Sequence, residues 1–244
     1  MPQVLTVIAD QIQPFGTGVG TVDEVLATRS RVDAIVEQHL RDLIAQQGAG
    51  QGDAVTQIDH VGVGGQREAL GRCDRLSIEY IRTVLTDPEG GVQKPAAVIV
   101  EVIQGEGGCI AASDNWLREL REITREQEIL LIIDEVQTGL GRTGSTFAID
   151  HSGIVPDILV LSKAIGGGYP LSVIVFAEHL DTWDAGMHAG TFRGNQIAMV
   201  AGAATIRYVQ SQNLAAQAAA RGETLSRGLK DIAKRYPALA CKAG

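Results

Sequence analysis

Lys163 has the most chemistry within reach. It is one of five lysines in 244 residues and stands alone between Lys94 and Lys230. It directly follows Asp157–Ser162 (DILVLS), an apolar run that predicts a buried strand, so its stem leaves the core at a strand end. A lysine held in a poorly solvated site loses proton affinity and becomes a usable amine nucleophile. Gly166, Gly167 and Gly168 then let the backbone pass close to a bound group. The competing reading is a strand-end lysine that snorkels to water, and position alone weighs the two evenly.

Asp134 shifts that balance. It closes the Ile/Leu run Ile129–Asp134 (ILLIID), where an unpaired carboxylate is costly. It needs a cation. Arg142 or a helix cap at the next turn is the ordinary answer, and a protonated pyridine nitrogen is the chemical one. A Schiff-base lysine with a carboxylate on the pyridinium is the pairing that pyridoxal phosphate sites use.

These residues need a sheet to place them. Ala96–Glu101, Ile129–Asp134, Asp157–Ser162 and Ser172–Ala177 read as four buried strands. Leu76–Leu85 reads as an amphipathic helix closed by Asp87-Pro88-Glu89-Gly90-Gly91. Ser113 caps a helix from Asp114 to about Gln127, with Trp116, Leu117, Leu120 and Ile123 at helical spacing. Two further helices begin near Asn195 and Ala215. Strands alternating with helices predict an α/β domain with a mostly parallel sheet, whose functional groups collect at the strands' carboxyl ends. Those ends carry Glu101 followed by Gln104-Gly105-Glu106-Gly107-Gly108, then Asp134-Glu135-Val136-Gln137, then Ser162-Lys163.

Composition removes other classes. A net charge of −8 argues against a nucleic-acid surface, and no apolar run reaches the ~20 residues of a membrane span. Cys73, Cys109 and Cys241 are odd in number and widely spaced, which predicts free thiols in a reducing, cytoplasmic setting. The five histidines show no metal spacing. The opening third differs from the rest: no lysine precedes Lys94, and Phe15 is the only aromatic among the first 79 residues. Thr21-x-x-Glu24 and an apolar stripe predict a helix over about 22–47, followed by a Gly- and Gln-rich loop or disordered stretch.

Four ordered blocks carry a resemblance: AAVIVEVIQGEGG (96–108), LLIIDEVQTGLGRTG (130–144), PDILVLSKAIGGGYPLSV (156–173) and HAGTFRGNQIAMVAG (188–202). Together they closely resemble the class III, or ω-type, aminotransferases, and within them the diaminobutyrate–2-oxoglutarate group. The resemblance implies the large-domain α/β architecture of fold type I pyridoxal phosphate enzymes. It implies that Lys163 bonds to the cofactor and later moves the substrate proton. Asp134 is implied on the pyridine nitrogen, Val136 beneath the ring and Gln137 near the phenolic oxygen. Thr191 is implied at the cofactor phosphate of a neighbouring subunit, so the active form is a homodimer. Glu101 and Glu106 are implied near the amino donor and 2-oxo acid, with a solvated loop carboxylate the equal alternative for Glu106. Arg142, Arg193 and His188 read as structural.

The resemblance begins near residue 76 and is strongest over 96–202. Upstream, residues 1–75 lack a convincing phosphate-binding loop or ring-stacking aromatic; Gly62-Val63-Gly64-Gly65 is a weak mimic of the first. Downstream, family chains continue into a small C-terminal domain with a carboxylate-binding arginine. The expectation is a partial large domain over 76–244 behind a poorly matched segment, from a truncated or mis-assembled gene product. The competing functional readings are an inactive remnant and, lower, a nucleotide-binding α/β domain; no full G-x-G-x-x-G stands between a strand and a helix.

Overall fold

The computed structural model describes residues 8–10, 55–57, 67–90, 92, 94–184, 186–187, 190–191 and 193–236. The expected helix over 22–47 and the Gly62–Gly65 loop lie outside these residues. The main sheet contains β1 (Ile8–Asp10), β2 (Val55–Gln57), β3 (Ala97–Glu101), β6 (Leu130–Asp134), β7 (Ile158–Leu161) and β8 (Ser172–Phe176), in the order β1-β8-β7-β6-β3-β2. A separate small hairpin pairs β4 (Ile103–Gln104) with β5 (Ile110–Ala111).

β2, β3, β6 and β7 run parallel, as the buried apolar runs predict. β8 runs antiparallel to both β7 and β1. The reason is the link: residues 162–171 are fewer than the dozen or so that a parallel crossover requires, so the chain folds straight back.

Both sheet faces are buried, which explains why the strands show no polar alternation. On one face Val98, Val100, Leu131, Ile133, Leu159 and Leu161 pack with α1 (Arg67–Thr86) and α2 (Asp114–Glu126). Those helices contribute Ile78, Ile81 and Leu85, and Trp116, Leu117, Leu120 and Ile123. Each such side chain contributes ~1.5–3 kcal/mol by leaving water. On the other face Ala97, Ile132, Ile158, Val160, Ile174, Phe176 and Leu180 form a second cluster.

α2 starts where its cap predicts: Ser113 Oγ accepts from the Trp116 backbone N–H at 3.1 Å. The Trp116 indole then donates to Ser77 Oγ at 2.9 Å, tying α2 to α1. Arg121 makes a bidentate pair with Asp157 at 2.6 and 2.8 Å, and Asp157 also accepts from the Leu131 N–H at 2.7 Å. This fixes the amino ends of β6 and β7 to the helix layer. α1 begins at Arg67, ahead of Leu76 where the apolar stripe becomes visible, because its first turns are mainly polar and small.

Candidate active site

Parallel strands put their carboxyl ends on one edge, and β3, β6 and β7 place Glu101, Asp134 and Lys163 there. Glu101 sits in register with Asp134, and Asp134 with Val160, three residues before Lys163. Two carboxylates are thus neighbours at the ~4.8 Å spacing of adjacent strands. Each carboxylate takes a backbone donor from the turn it begins. Glu101 Oε2 accepts from Gly105 N–H at 2.9 Å, and Asp134 Oδ1 accepts from Val136 N–H at 2.8 Å. Both side chains are half-buried, an arrangement that favours a cation above the strand ends.

Lys163 opens a short 3-10 turn, Lys163–Gly166, with a φ of 52°. A left-handed backbone costs a non-glycine residue about 1–2 kcal/mol. The surroundings enforce it. The buried Ser162 hydroxyl donates to Leu171 O at 3.2 Å and lies 2.9 Å from Ser172 Oγ, closing the base of the turn. α3 (Gln196–Ser211), capped by Asn195, presses on the turn from the side. A Cβ on Gly202 would meet Ile165 O at 2.9 Å, and one on Gly167 would collide with Thr205 Oγ1. The tight approach foreseen for the glycines is therefore made by a helix of the same chain.

The Lys163 ammonium donates to Gln137 Oε1 at 2.9 Å. Gln137 in turn packs on the β3 turn: a Cβ on Gly105 would lie 2.5 Å from Gln137 Oε1. Three strand ends thereby meet through two side chains. Lys163 is exposed, which corrects the expectation of a poorly solvated amine. Its positive φ is part of the turn that carries it, and its nitrogen is held by an amide rather than by burial. Val136 is half-buried against the cluster of Ile132, Val160 and Ile174. Glu106 is exposed in the β4–β5 loop, and Thr191 is exposed in the turn leading to α3. Arg142 is also exposed. α4 (Leu214–Arg235) lays Ala219 beside Gly144, where an added Cβ would come within 3.1 Å.

One residue was overlooked among the motif residues. Glu135 is 1% exposed, although it stands between Asp134 and Val136. Burial pushes its carboxyl above the ordinary value, against the opposing bonds from Thr138, Ile149 and Ala148. The alternation of side chains after a strand end is the signal that would have turned it inward.

The lysine, aspartate and glutamine at these strand ends fit a pyridoxal phosphate cofactor by the chemistry of their groups: an amine, an anion and a hydrogen-bonding amide. Comparison with known proteins adds to this. The family profile of class-III aminotransferases matches residues 67–240. The chain is similar to a diaminobutyrate–2-oxoglutarate aminotransferase of Rhizobium meliloti, 53% identical over 66% of this chain and 34% of that protein. A second such enzyme, from Haemophilus influenzae, is 45% identical over 73% of this chain and 38% of its own length. The chain thus spans about a third of the curated relatives it matches. In fold it is similar to ornithine delta-aminotransferase of Plasmodium falciparum, with a TM-score of 0.67 and 25% identity over 93% of this chain and 54% of that one. An S-selective transaminase from Arthrobacter shares 31% identity over 66% of this chain and 35% of its own, with a TM-score of 0.57. With more than half its length covered by the family profile, the chain belongs to the class-III aminotransferases.

Proposed function

We propose that this chain carries the lysine-bearing part of a pyridoxal phosphate site, and that the enzyme moves an amino group from L-2,4-diaminobutyrate to 2-oxoglutarate. The observation that carries this reading is the Lys163 ammonium donating to Gln137 Oε1 at 2.9 Å, on the strand next to Asp134. The cofactor, when bound, supplies an electron sink for the substrate's Cα.

The remaining work belongs to side chains. Lys163 is the amine that would hold the cofactor, and the same amine would carry the proton to and from the substrate carbon. Asp134 would hold the proton on the pyridine nitrogen, with its carboxylate oriented by the bond it accepts from Val136 N–H. Val136 would offer an apolar surface to the cofactor ring, and Gln137 a hydrogen-bonding amide to its phenolic oxygen. Thr191 would bind the cofactor phosphate of the partner subunit in a homodimer. Glu101 and Glu106 face the amino donor and the 2-oxo acid, with Glu101 anchored to the Gly105 turn. The choice of diaminobutyrate rests on the names of the two relatives at 53% and 45% identity.

The test is direct. The purified chain is incubated with pyridoxal phosphate, treated with borohydride and digested. The expected result is label on Lys163, no label in Lys163→Ala, and glutamate formed from 2-oxoglutarate with diaminobutyrate in preference to ornithine. Absence of label at millimolar cofactor overturns the site. Label without glutamate reduces the function of this chain to cofactor capture.

A further inference from the structure

We propose that Glu135 is a positioning residue for this site: it locks the 134–138 turn in the shape that presents Asp134 and Gln137 toward Lys163. The inference rests on the functional reading above.

Glu135 touches no group at the strand-end edge, yet each of its polar groups is committed to holding that edge in place. Its N–H donates to Val160 O at 2.9 Å, fastening the end of β6 to β7 just before Lys163. Its carbonyl accepts from Gly139 N–H at 3.0 Å, closing the turn that contains Gln137. Oε1 accepts from Ile149 N–H at 2.8 Å, and Oε2 accepts from the Thr138 hydroxyl. The side chain therefore joins the turn to the Ala148–Ser152 3-10 segment, whose Ala148 and Ile149 belong to the main core. Asp134 and Val136 flank it and face the other way, and Gln137 follows within the same closed turn.

A carboxylate suits this place because the converging groups, the Thr138 hydroxyl and the Ile149 and Ala148 N–H groups, all donate to it. Glu135→Gln keeps size and shape, but its NH2 group cannot accept: the Thr138 hydroxyl must turn round to accept from it, and a second amide N–H is brought into a place shaped for acceptors. A buried donor left unmatched is costly, and loosening falls first on the turn, not on helices packed elsewhere.

The experiment compares wild type, Glu135→Gln and Thr138→Val. Hydrogen exchange is followed by peptide in the cofactor-free chain, and borohydride trapping of pyridoxal phosphate on Lys163 is followed as a function of cofactor concentration. In Glu135→Gln, exchange over 135–139 is expected to rise about ten-fold and half-saturation for trapping to rise about ten-fold, the scale of one buried hydrogen bond. Exchange in α2 is expected to stay as in wild type. Thr138→Val, which keeps the carboxylate and both backbone bonds, is expected to shift both readouts less and in the same direction. If Glu135→Gln does not fold, Thr138→Val alone decides.

Unchanged exchange over 135–139 overturns the proposal. So does faster exchange with unchanged half-saturation, or acceleration spread equally into α2, which marks a core anchor only. If wild type traps no cofactor, the functional reading fails, and local exchange still decides whether Glu135 holds the turn.

Discussion

Lys163 and Gln137 lie 26 residues apart in the chain and share a hydrogen bond, Nζ donating to Oε1 at 2.9 Å. The acceptor is neutral, so the amine is oriented without a fixed counter-charge. Gln137→Glu places a carboxylate there and holds the lysine in its charged, unreactive form. The expected outcome is adduct formation with pyridoxal phosphate slowed about ten-fold at neutral pH, the effect of one unit of proton affinity. The initial rate of the absorbance change measures it, and an equal or faster rate contradicts the assignment.

The backbone of Lys163 supports a second prediction. At a φ of 52°, glycine is relieved of the Cβ clash that alanine retains. Lys163→Gly should therefore be more stable than Lys163→Ala by about 1 kcal/mol. Both variants lose the adduct. Urea unfolding midpoints of the two decide; equal midpoints place the strain elsewhere.

Gly167 adds a third. Its φ of 60° and its closeness to Thr205 Oγ1 and to Ala201 O (3.2 Å from a built Cβ) leave no room for a methyl. Gly167→Ala is expected to cost about 1–2 kcal/mol from the backbone alone and to lower the yield of trapping at Lys163. Adding Thr205→Ala should restore part of the loss, the steric part, and leave the backbone part. A double variant no better than the single one shows that α3 does not press on the turn.

Glu135 gives the pH dependence. Burial raises its carboxyl in the folded chain above the ordinary 4.5, so the folded form keeps the proton to higher pH than the unfolded form. Its stabilising contribution is full below that ordinary value and is lost as pH rises through the folded value. The stability of wild type relative to Glu135→Gln should fall as pH rises from 4.5 upward. Denaturation midpoints of both proteins at successive pH values measure the difference, and a flat or rising difference refutes it.

The strand ends were legible because their cause is local. Runs such as ILLIID and DILVLS are too apolar to lie anywhere but inside a sheet, and whatever polar residue closes them must stand at its edge. Ser113 was legible as a cap for the same reason, since it bonds a backbone N–H three residues on, and the helix start near Asn195 was legible without its cap. The reversal of β8 was countable from ten connecting residues but hidden by its apolar pattern, which carries no direction. The exposure and left-handed backbone of Lys163 were not legible, because Ser172 and the approach of α3 impose them from distant sequence. Glu135 was missed because its burial depends on Ile149, 14 residues away.

The clasp between Ser162 and Ser172 has a mechanical consequence. With both feet of the Lys163 turn tied together and α3 braced against its flank, the backbone acts as a fixed pivot. The amine's travel is then that of a jointed arm alone, by rotation about its methylene bonds. Exposed side chains make such rotations in picoseconds to nanoseconds. Lys163 can thus leave Gln137 and return without any loop having to open, and the pace of its comings and goings is set by the side chain, not by the fold.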